Sequence, residues 1–379
     1  MLSDLSILAG RVRDFITICA GELSSEHQGN PDFSKHADAE FNGLALMLFT
    51  LQFQHNPAYQ KICEARKVSP NSVHHWSAIP ALPTAAFKEL ELTSLSPAQR
   101  THAFHSSGTT GQTPSRHFHN AESLAVYETS ALAWFRFHIA PEKHLALLTP
   151  PPAQAPHSSL VHMFEIVRRE FHAPAGSFLG RLAADQTWTL DFEAVVRALE
   201  EACQKNESLV MLGTAFSFVH LLDQLAESNL RFKLSPESRV METGGYKNRS
   251  RVLPREELHR LIEERLGVPR PRVVCEYGMS ELSSQAYDQS FSGSRFTPHV
   301  SRAFHFPPWA RAQIISPESG RKVADGETGL LRIFDLANVF SVLAIQTEDL
   351  AVRHGDGFEL LGRAKLSEPR GCSLMSHDS

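Results

Sequence analysis

Within the first 65 residues apolar side chains return every three to four positions, in Leu2–Ile18 and again in Phe41–Phe53. That is the spacing of helices that each turn one face to a core. Pro70, Pro80 and Pro83 interrupt the pattern before Ala85-Ala86-Phe87-Lys88, so the region reads as a helical lead-in packed against the core domain. A helix is predicted over Ala121–Ile139, and the apolar run Leu145–Leu148 reads as a buried strand entering the stiff loop Pro150-Pro151-Pro152. Beyond it the two periods alternate. Ser159–Glu170 and Asp191–Lys205 have helical spacing, Leu209–Leu212 reads as a strand and Phe216–Ala226 as a helix. Arg239–Glu242 is a strand running into Gly244-Gly245, and the helix Arg255–Leu266 leads to the strand Arg272–Cys275. Short strand, helix, short strand predicts an α/β core: a parallel sheet with helices on both faces and ligands at the carboxyl ends of the strands.

From about residue 305 the runs become short and β-like: Ala312–Ile315, Leu330–Phe334, Val342–Ile345 and Phe358–Leu361, divided by Gly, Asp and Pro. That pattern predicts a smaller β-rich subdomain, a barrel being one form open to it. The expected organisation is a lead-in over 1–90, an α/β core over 91–305, a β-rich subdomain over 306–364 and a short tail over 365–379.

Composition narrows the classes. A hydrophobic fraction of 42% with 21% charged residues suits a globular chain with a sizeable core. A net charge of −5 gives no basic footprint for nucleic acid. No run of about 18 apolar residues is present, so no membrane span is expected. The start, MLSDLSILAGRVRDF, carries acidic residues and lacks the apolar stretch of a signal peptide. The five cysteines, Cys19, Cys63, Cys203, Cys275 and Cys372, form no C-x-x-C pair, which argues against a disulfide framework or zinc site and for a reducing cytoplasm. His102/His105 and His117/His119 lack the partners of a metal motif and read as surface or loop histidines.

The chemistry concentrates in four loops. His105-Ser106-Ser107-Gly108-Thr109-Thr110-Gly111 places hydroxyl donors beside glycines, whose backbone N–H groups can converge on an anion. It is no Walker loop, because Gly-Lys-Ser/Thr does not come after it. Glu242-Thr243-Gly244-Gly245-Tyr246 and Glu276-Tyr277-Gly278-Met279-Ser280-Glu281 each come directly after a predicted strand. Thr347-Glu348-Asp349-Leu350 and then Leu361-Gly362-Arg363 complete the series. Singly, each reads equally well as a turn, a cap or a surface charge.

Together, in this order, they resemble the adenylate-forming superfamily of acyl-CoA synthetases, luciferases and peptide-synthetase adenylation domains. Within it the chain is most similar to the acyl-protein synthetases (LuxE type), through Pro83–Lys88, Gly244-Gly245-Tyr246-Lys247, Tyr277–Leu282 and the tail Arg370-Gly371-Cys372. The resemblance implies a ligase using ATP and Mg²⁺ to activate a fatty acid or other carboxylic acid. It implies that Ser106, Ser107, Thr109 and Thr110, with the N–H groups of Gly108 and Gly111, hold the β,γ-phosphates. Tyr277 would stack on adenine with Gly244, Gly245 and Gly278 flat beside it. Ser280 would touch the α-phosphate, Glu281 would hold Mg²⁺, Asp349 would accept from both ribose hydroxyls, and Arg363 would reach the ribose or phosphate. His157 is a weaker candidate for lining the carboxylate pocket.

Two departures stand out. Where many relatives have Pro-Lys after the loop's last glycine, this chain has Gln112-Thr113-Pro114-Ser115-Arg116, and Arg116 receives no firm role. Only 16 residues come after Arg363, so the lysine-bearing C-terminal lid of roughly a hundred residues expected of the superfamily is missing from this sequence, with Lys365 a weak stand-in. The tail does hold Cys372, and a thiolate is a natural acceptor for an acyl adenylate. The resemblance implies the same, with delivery of the acyl group to an acyl-CoA-reductase-like partner. The alternatives at this stage are a phenylacetate-CoA-ligase-like enzyme that uses coenzyme A directly, and a non-catalytic nucleotide-binding relative.

Overall fold

The computed structural model describes residues 2–24, 31–106, 113–139, 144–185, 187–244, 253–288 and 302–363. In chain order the elements are α1 (Leu2–Ser24), α2 (Pro31–His55), α3 (Pro57–Ala65), β1 (Leu82–Pro83), α4 (Ala86–Glu89), β2 (His102–His105) and β3 (Arg116–His119). Then come α5 (Ala121–His138), β4 (Leu145–Leu147), α6 (Ser159–Glu170), β5 (Gly180–Leu182), β6 (Trp188–Leu190), α7 (Phe192–Lys205), β7 (Val210–Thr214) and α8 (Ala215–Glu227). The chain continues with β8 (Arg239–Thr243), α9 (Arg255–Leu266), β9 (Val273–Tyr277), β10 (Ala286–Tyr287), β11 (Ala310–Ile315), β12 (Thr328–Asp335), β13 (Ala344–His354) and β14 (Gly357–Arg363).

The expected α/β core is present. Strands β4, β7, β8 and β9 run parallel in the order β9-β8-β7-β4, with β10 added antiparallel at the β9 edge. Their sequences are near-continuous apolar runs because both faces are covered. On one face Ala146, Leu148, Met211, Val240 and Val273 pack against Val195 and Leu199 of α7, Phe218 and Leu222 of α8, and Leu258 and Ile262 of α9. On the other, Leu145, Leu147, Val210, Leu212, Met241 and Val274 join a core shared with α1, α2, α5, α6 and the second sheet.

The helix boundaries reflect local chemistry. Asn120 accepts from Ser123 N, Ser158 from Val161 N, Asp191 from Ala194 N and Thr214 from Ser217 N, each satisfying a backbone donor left free in a first turn. Helix α9 ends on Gly267 at φ +73°, a left-handed position that glycine takes without a Cβ clash.

The second sheet is β1-β13-β12-β11, with β14 also paired to β13, and is antiparallel except for β1. Among the described residues β11 has β12 as its one strand partner, so the sheet is open rather than a barrel. Bridges from Tyr287 to His305 and from Phe304 to Phe358 tie it to the α/β sheet.

The lead-in also positions the site. Buried Gln52 of α2 donates to the carbonyls of Asn338 and Val339 (2.8 and 3.2 Å) and accepts from Leu343 N (2.9 Å). These bonds satisfy loop backbone that would otherwise be buried without partners. Thr93 and Ser94 both donate to Phe340 O, fixing the same 338–343 loop from another side. No helix among the described residues is long and apolar enough to cross a membrane.

Candidate active site

The carboxyl ends of β7, β8 and β9 lie level, with Thr214 opposite Thr243 and Thr243 opposite Glu276. At that level the Tyr277–Glu281 turn leaves β9, and two groups of the expected residues gather at its two ends.

At the Tyr277 end, the tyrosine hydroxyl donates to Asp349 Oδ2 at 2.8 Å, and Arg363 Nε lies 3.8 Å from Asp349 Oδ1. Tyr277 comes from β9, Asp349 from β13 and Arg363 from β14, where Asp349 and Arg363 are register partners. Burial pushes the Asp349 carboxyl up, against the Tyr277 hydrogen bond and the Arg363 charge, which favour the anion. The Tyr277 ring meets Phe304, Phe306 and Phe358 edge-on at centroid distances of 6.1, 6.2 and 5.7 Å.

At the Glu281 end, the carboxylate is 6% exposed and each oxygen accepts one hydroxyl: Oε1 from Ser115 at 2.5 Å and Oε2 from Ser280 at 3.0 Å. Two separate anchors hold its backbone. Asn338 Nδ2 donates to Glu281 O at 3.0 Å, and His117 Nδ1 lies 3.0 Å from Ser280 O. A carbonyl only accepts, so His117 carries its proton on Nδ1. Just beyond, Asp335 Oδ2 accepts from the N–H groups of Ser283 and Ser284, while Oδ1 accepts from Ser284 Oγ and Ala337 N. Burial nevertheless raises the Asp335 carboxyl to about 6.

Ser106, the described residue of the hydroxyl-rich stretch, joins this end from the β2–β3 hairpin. Strands β2 and β3 pair from His102–His119 to His105–Arg116. Past them Ser106 N donates to Ser115 O (3.2 Å) and Ser115 N to Ser106 Oγ (2.9 Å). Ser106 therefore stands one residue pair from Glu281. Ser107, Gly108, Thr109, Thr110, Gly111, Gly245 and Cys372, like Lys365, lie outside the described residues.

The two glycines that are described have physical reasons. Gly244 leaves β8 at φ +75°, in the left-handed region that side chains disfavour. A Cβ on Gly278 would stand 2.4 Å from Glu276 Oε1, so only a bare backbone passes there. Glu276, buried beside it, accepts a hydrogen bond from Thr243, and burial raises its carboxyl to about 7.

That raised value has a measurable consequence. The folded protein keeps the Glu276 proton up to about 7, whereas the unfolded chain releases it near 4.5. Stability is therefore retained below the lower value and lost as pH rises through the higher one. Glu276→Gln should match wild type in unfolding free energy near pH 4.5 and exceed it by roughly 3 kcal/mol at pH 8. Urea titrations at both pH values read the difference, and a gap independent of pH would show that the carboxyl is not kept protonated.

The histidines correct the sequence reading. His117 and His119 are 3% and 1% exposed, because β3 is sandwiched between α5 and the Ser280 turn rather than lying on the surface. Burial lowers His117 to about 4 and lowers His119 well below the usual value. His157 Nδ1 lies 3.0 Å from Ala103 O and its ring stacks on His105 at a 4.3 Å centroid distance, beside the hairpin. Arg116 extends over Phe118, and its Nη1 is 3.9 Å from Glu91 Oε1.

Sequence reading missed Ser115, Asn338, Asp335 and the Thr243–Glu276 pair. On the opposite sheet face, buried Asp288 accepts from Cys275 N and pairs with Arg255, while His259 meets Glu242, fixing the same strand ends from behind. Cys19 and Cys63 are buried thiols raised to about 12 and about 11, chiefly by desolvation, which suits inert packing.

Among the described residues no three His, Cys, Asp or Glu side chains are grouped to hold a metal unaided. The Glu281 carboxylate, oriented by the Ser115 and Ser280 hydroxyls, is an oxygen donor with one negative charge. Such a donor would fit Mg²⁺, an ion usually held through one or two carboxylates together with substrate phosphates.

Comparison with known proteins gives the family and the fold. Residues 32–378 match the profile of the family "Acyl-protein synthetase, LuxE". The chain is 24% identical over 344 residues to the long-chain-fatty-acid–luciferin-component ligase of Aliivibrio fischeri, covering 86% of this chain and 85% of that one. It is 22% identical over 337 residues to the ligase of the same name from Vibrio harveyi, at 86% and 84% coverage. In fold it is similar to 2-hydroxyisobutyryl-CoA ligase in complex with 2-HIB-AMP and CoA, with a TM-score of 0.63 at 14% identity over 87% of this chain and 68% of that one. The same ligase in its postadenylation state gives a TM-score of 0.61 at 13% identity, over 86% of this chain and 68% of that one.

Proposed function

The chain belongs to the LuxE acyl-protein synthetase family and is a ligase, and from that premise we propose that it activates a long-chain fatty acid with ATP and then carries the acyl group on its own Cys372. The observation that supports the reading best is the gathering of Tyr277, Asp349 and Arg363 at one end of a five-residue turn, with Ser280, Glu281 and the Ser106 hairpin at the other. Those ends match the two ends of a nucleoside triphosphate.

Asp349 accepts two ribose hydroxyls once the Tyr277 hydroxyl yields its place, and Arg363 stays beside it in β14. The Tyr277 ring, backed by three phenylalanines, offers a flat apolar face to adenine. Open space beside Gly244 lets the nucleotide approach closely, while the bare backbone of Gly278 makes room for the Glu276 carboxyl. The loop from Ser106 to Gly111 would supply donors for the β,γ-phosphates, Ser280 would touch the α-phosphate, and Glu281 would hold a Mg²⁺ that neutralises charge there. A carboxylate oxygen of the acid bonds to the α-phosphorus while the bond to the β-phosphate oxygen breaks, releasing pyrophosphate and leaving an acyl adenylate. The Cys372 thiolate then attacks the acyl carbon, AMP leaves, and a thioester remains for delivery to a partner of the acyl-CoA-reductase kind.

The first half-reaction is reversible, so it is read by exchange of labelled pyrophosphate into ATP. Exchange that requires a long-chain fatty acid and Mg²⁺ is the expected result. ATP binding with no acid-dependent exchange would sink the proposal in favour of a nucleotide-binding protein without the chemistry.

A further inference from the structure

We propose that Ser115 is a positioning residue for metal binding: its hydroxyl sets the orientation of the Glu281 carboxylate and couples it to the β2–β3 hairpin. The inference rests on the proposed use of ATP and Mg²⁺. It goes beyond that reading, because Ser115 sits where the family resemblance gave no role to any residue.

The geometry separates two things that Ser115 does. Its main chain closes the hairpin, through Ser106 N to Ser115 O and Ser115 N to Ser106 Oγ. Its side chain, on a residue only 1% exposed, donates to Glu281 Oε1 at 2.5 Å and lies 3.5 Å from Ser280 Oγ. Alanine at 115 keeps the first set of bonds and removes only the second. The turn itself also stays in place, because Asn338 and His117 hold the carbonyls of Glu281 and Ser280 independently. What is lost is control of one side-chain torsion.

That torsion matters because an ionised carboxylate offers about four lone-pair positions. Ser115 and Ser280 take one on each oxygen, which leaves one per oxygen for a cation and fixes where those two point. Without Ser115, Oε1 is free to turn toward water or toward Ser280. Groups that orient a metal-binding side chain without touching the metal typically contribute about 10–100-fold to affinity. Contacts to the nucleotide that need no metal are left alone, since Tyr277 and Asp349 stand at the far end of the turn.

The test is ATP binding to the full chain by titration calorimetry, once with excess Mg²⁺ and once with EDTA. In wild type, Mg²⁺ should tighten ATP binding. Ser115→Ala should lose roughly 10–100-fold of that tightening while its affinity in EDTA stays within about threefold of wild type. Ser115→Thr, which keeps the hydroxyl, should restore the Mg²⁺ effect. Ser115→Cys, which keeps the volume but not the strong donor, should behave as the alanine does and provides the reading if alanine leaves a void that fails to fold. Full Mg²⁺ tightening in the alanine and cysteine variants would overturn the inference while leaving the proposed function intact. Equal loss in Mg²⁺ and in EDTA would overturn it too, since Ser115 would then only shape the loop. Wild type that fails to bind ATP at all would remove both readings together.

Discussion

Glu281→Gln is expected to slow acid-dependent pyrophosphate exchange by about 10²–10³-fold with the fold intact. Glutamine has nearly the same size, and its amide oxygen still accepts from Ser115. The amide nitrogen then faces the Ser280 hydroxyl in place of Oε2, and the negative charge is gone. The turn backbone keeps its anchors in Asn338 and His117, so unfolding midpoints should shift little. Pyrophosphate departure crowds negative charge, and a cation placed by Glu281 would be worth most there. ATP affinity measured in EDTA should be unchanged, which separates loss of the metal from loss of the nucleotide. Exchange within about threefold of wild type at saturating Mg²⁺ would mean that Glu281 is a structural carboxylate held by two serines.

How far such a site can be read from sequence depends on which contacts are local. The strands of the α/β core were legible because they are buried on both faces, so Leu145–Leu147 and Val210–Thr214 appear as short apolar runs. The hairpin of β2 and β3 was not. His-Ala-Phe-His and Arg-His-Phe-His alternate aromatic and titratable residues, and nothing local shows that His117 and His119 are buried and neutral. The strand-end loops announced themselves through glycine, and Gly244 and Gly278 proved to have steric reasons. The groups that fix those loops gave no such signal. Asp335 and Asn338 act on Ser283, Ser284 and Glu281 from about fifty residues away, and Gln52 reaches the 338–343 loop from α2, where it reads as a polar interruption of a helical face. In the sequence Ser115 is one residue of the departure Gln112-Thr113-Pro114-Ser115-Arg116, with no role of its own. Its hydroxyl gains meaning only when Glu281, 166 residues on, folds against it.

Cys372→Ser is expected to abolish covalent labelling while leaving activation untouched. Incubation with ATP, Mg²⁺ and an alkyne-tagged long-chain fatty acid should label wild type, and neutral hydroxylamine should remove the label, as it does from a thioester. The serine variant should carry no such label yet exchange pyrophosphate at the wild-type rate, because the residues proposed for the adenylate all lie before residue 364. A hydroxyl is a far weaker nucleophile than a thiolate near neutral pH, since serine has no accessible anion and cysteine retains a few per cent. Cys275, the described cysteine nearest the site in sequence, cannot substitute, because burial and the neighbouring Glu242 and Asp288 hold its thiol neutral. Equal labelling of both proteins would exclude Cys372 as the acceptor. Normal exchange with no label on either, and release of acyl-CoA when coenzyme A is added, would instead make coenzyme A the acceptor and the enzyme a direct thioester ligase.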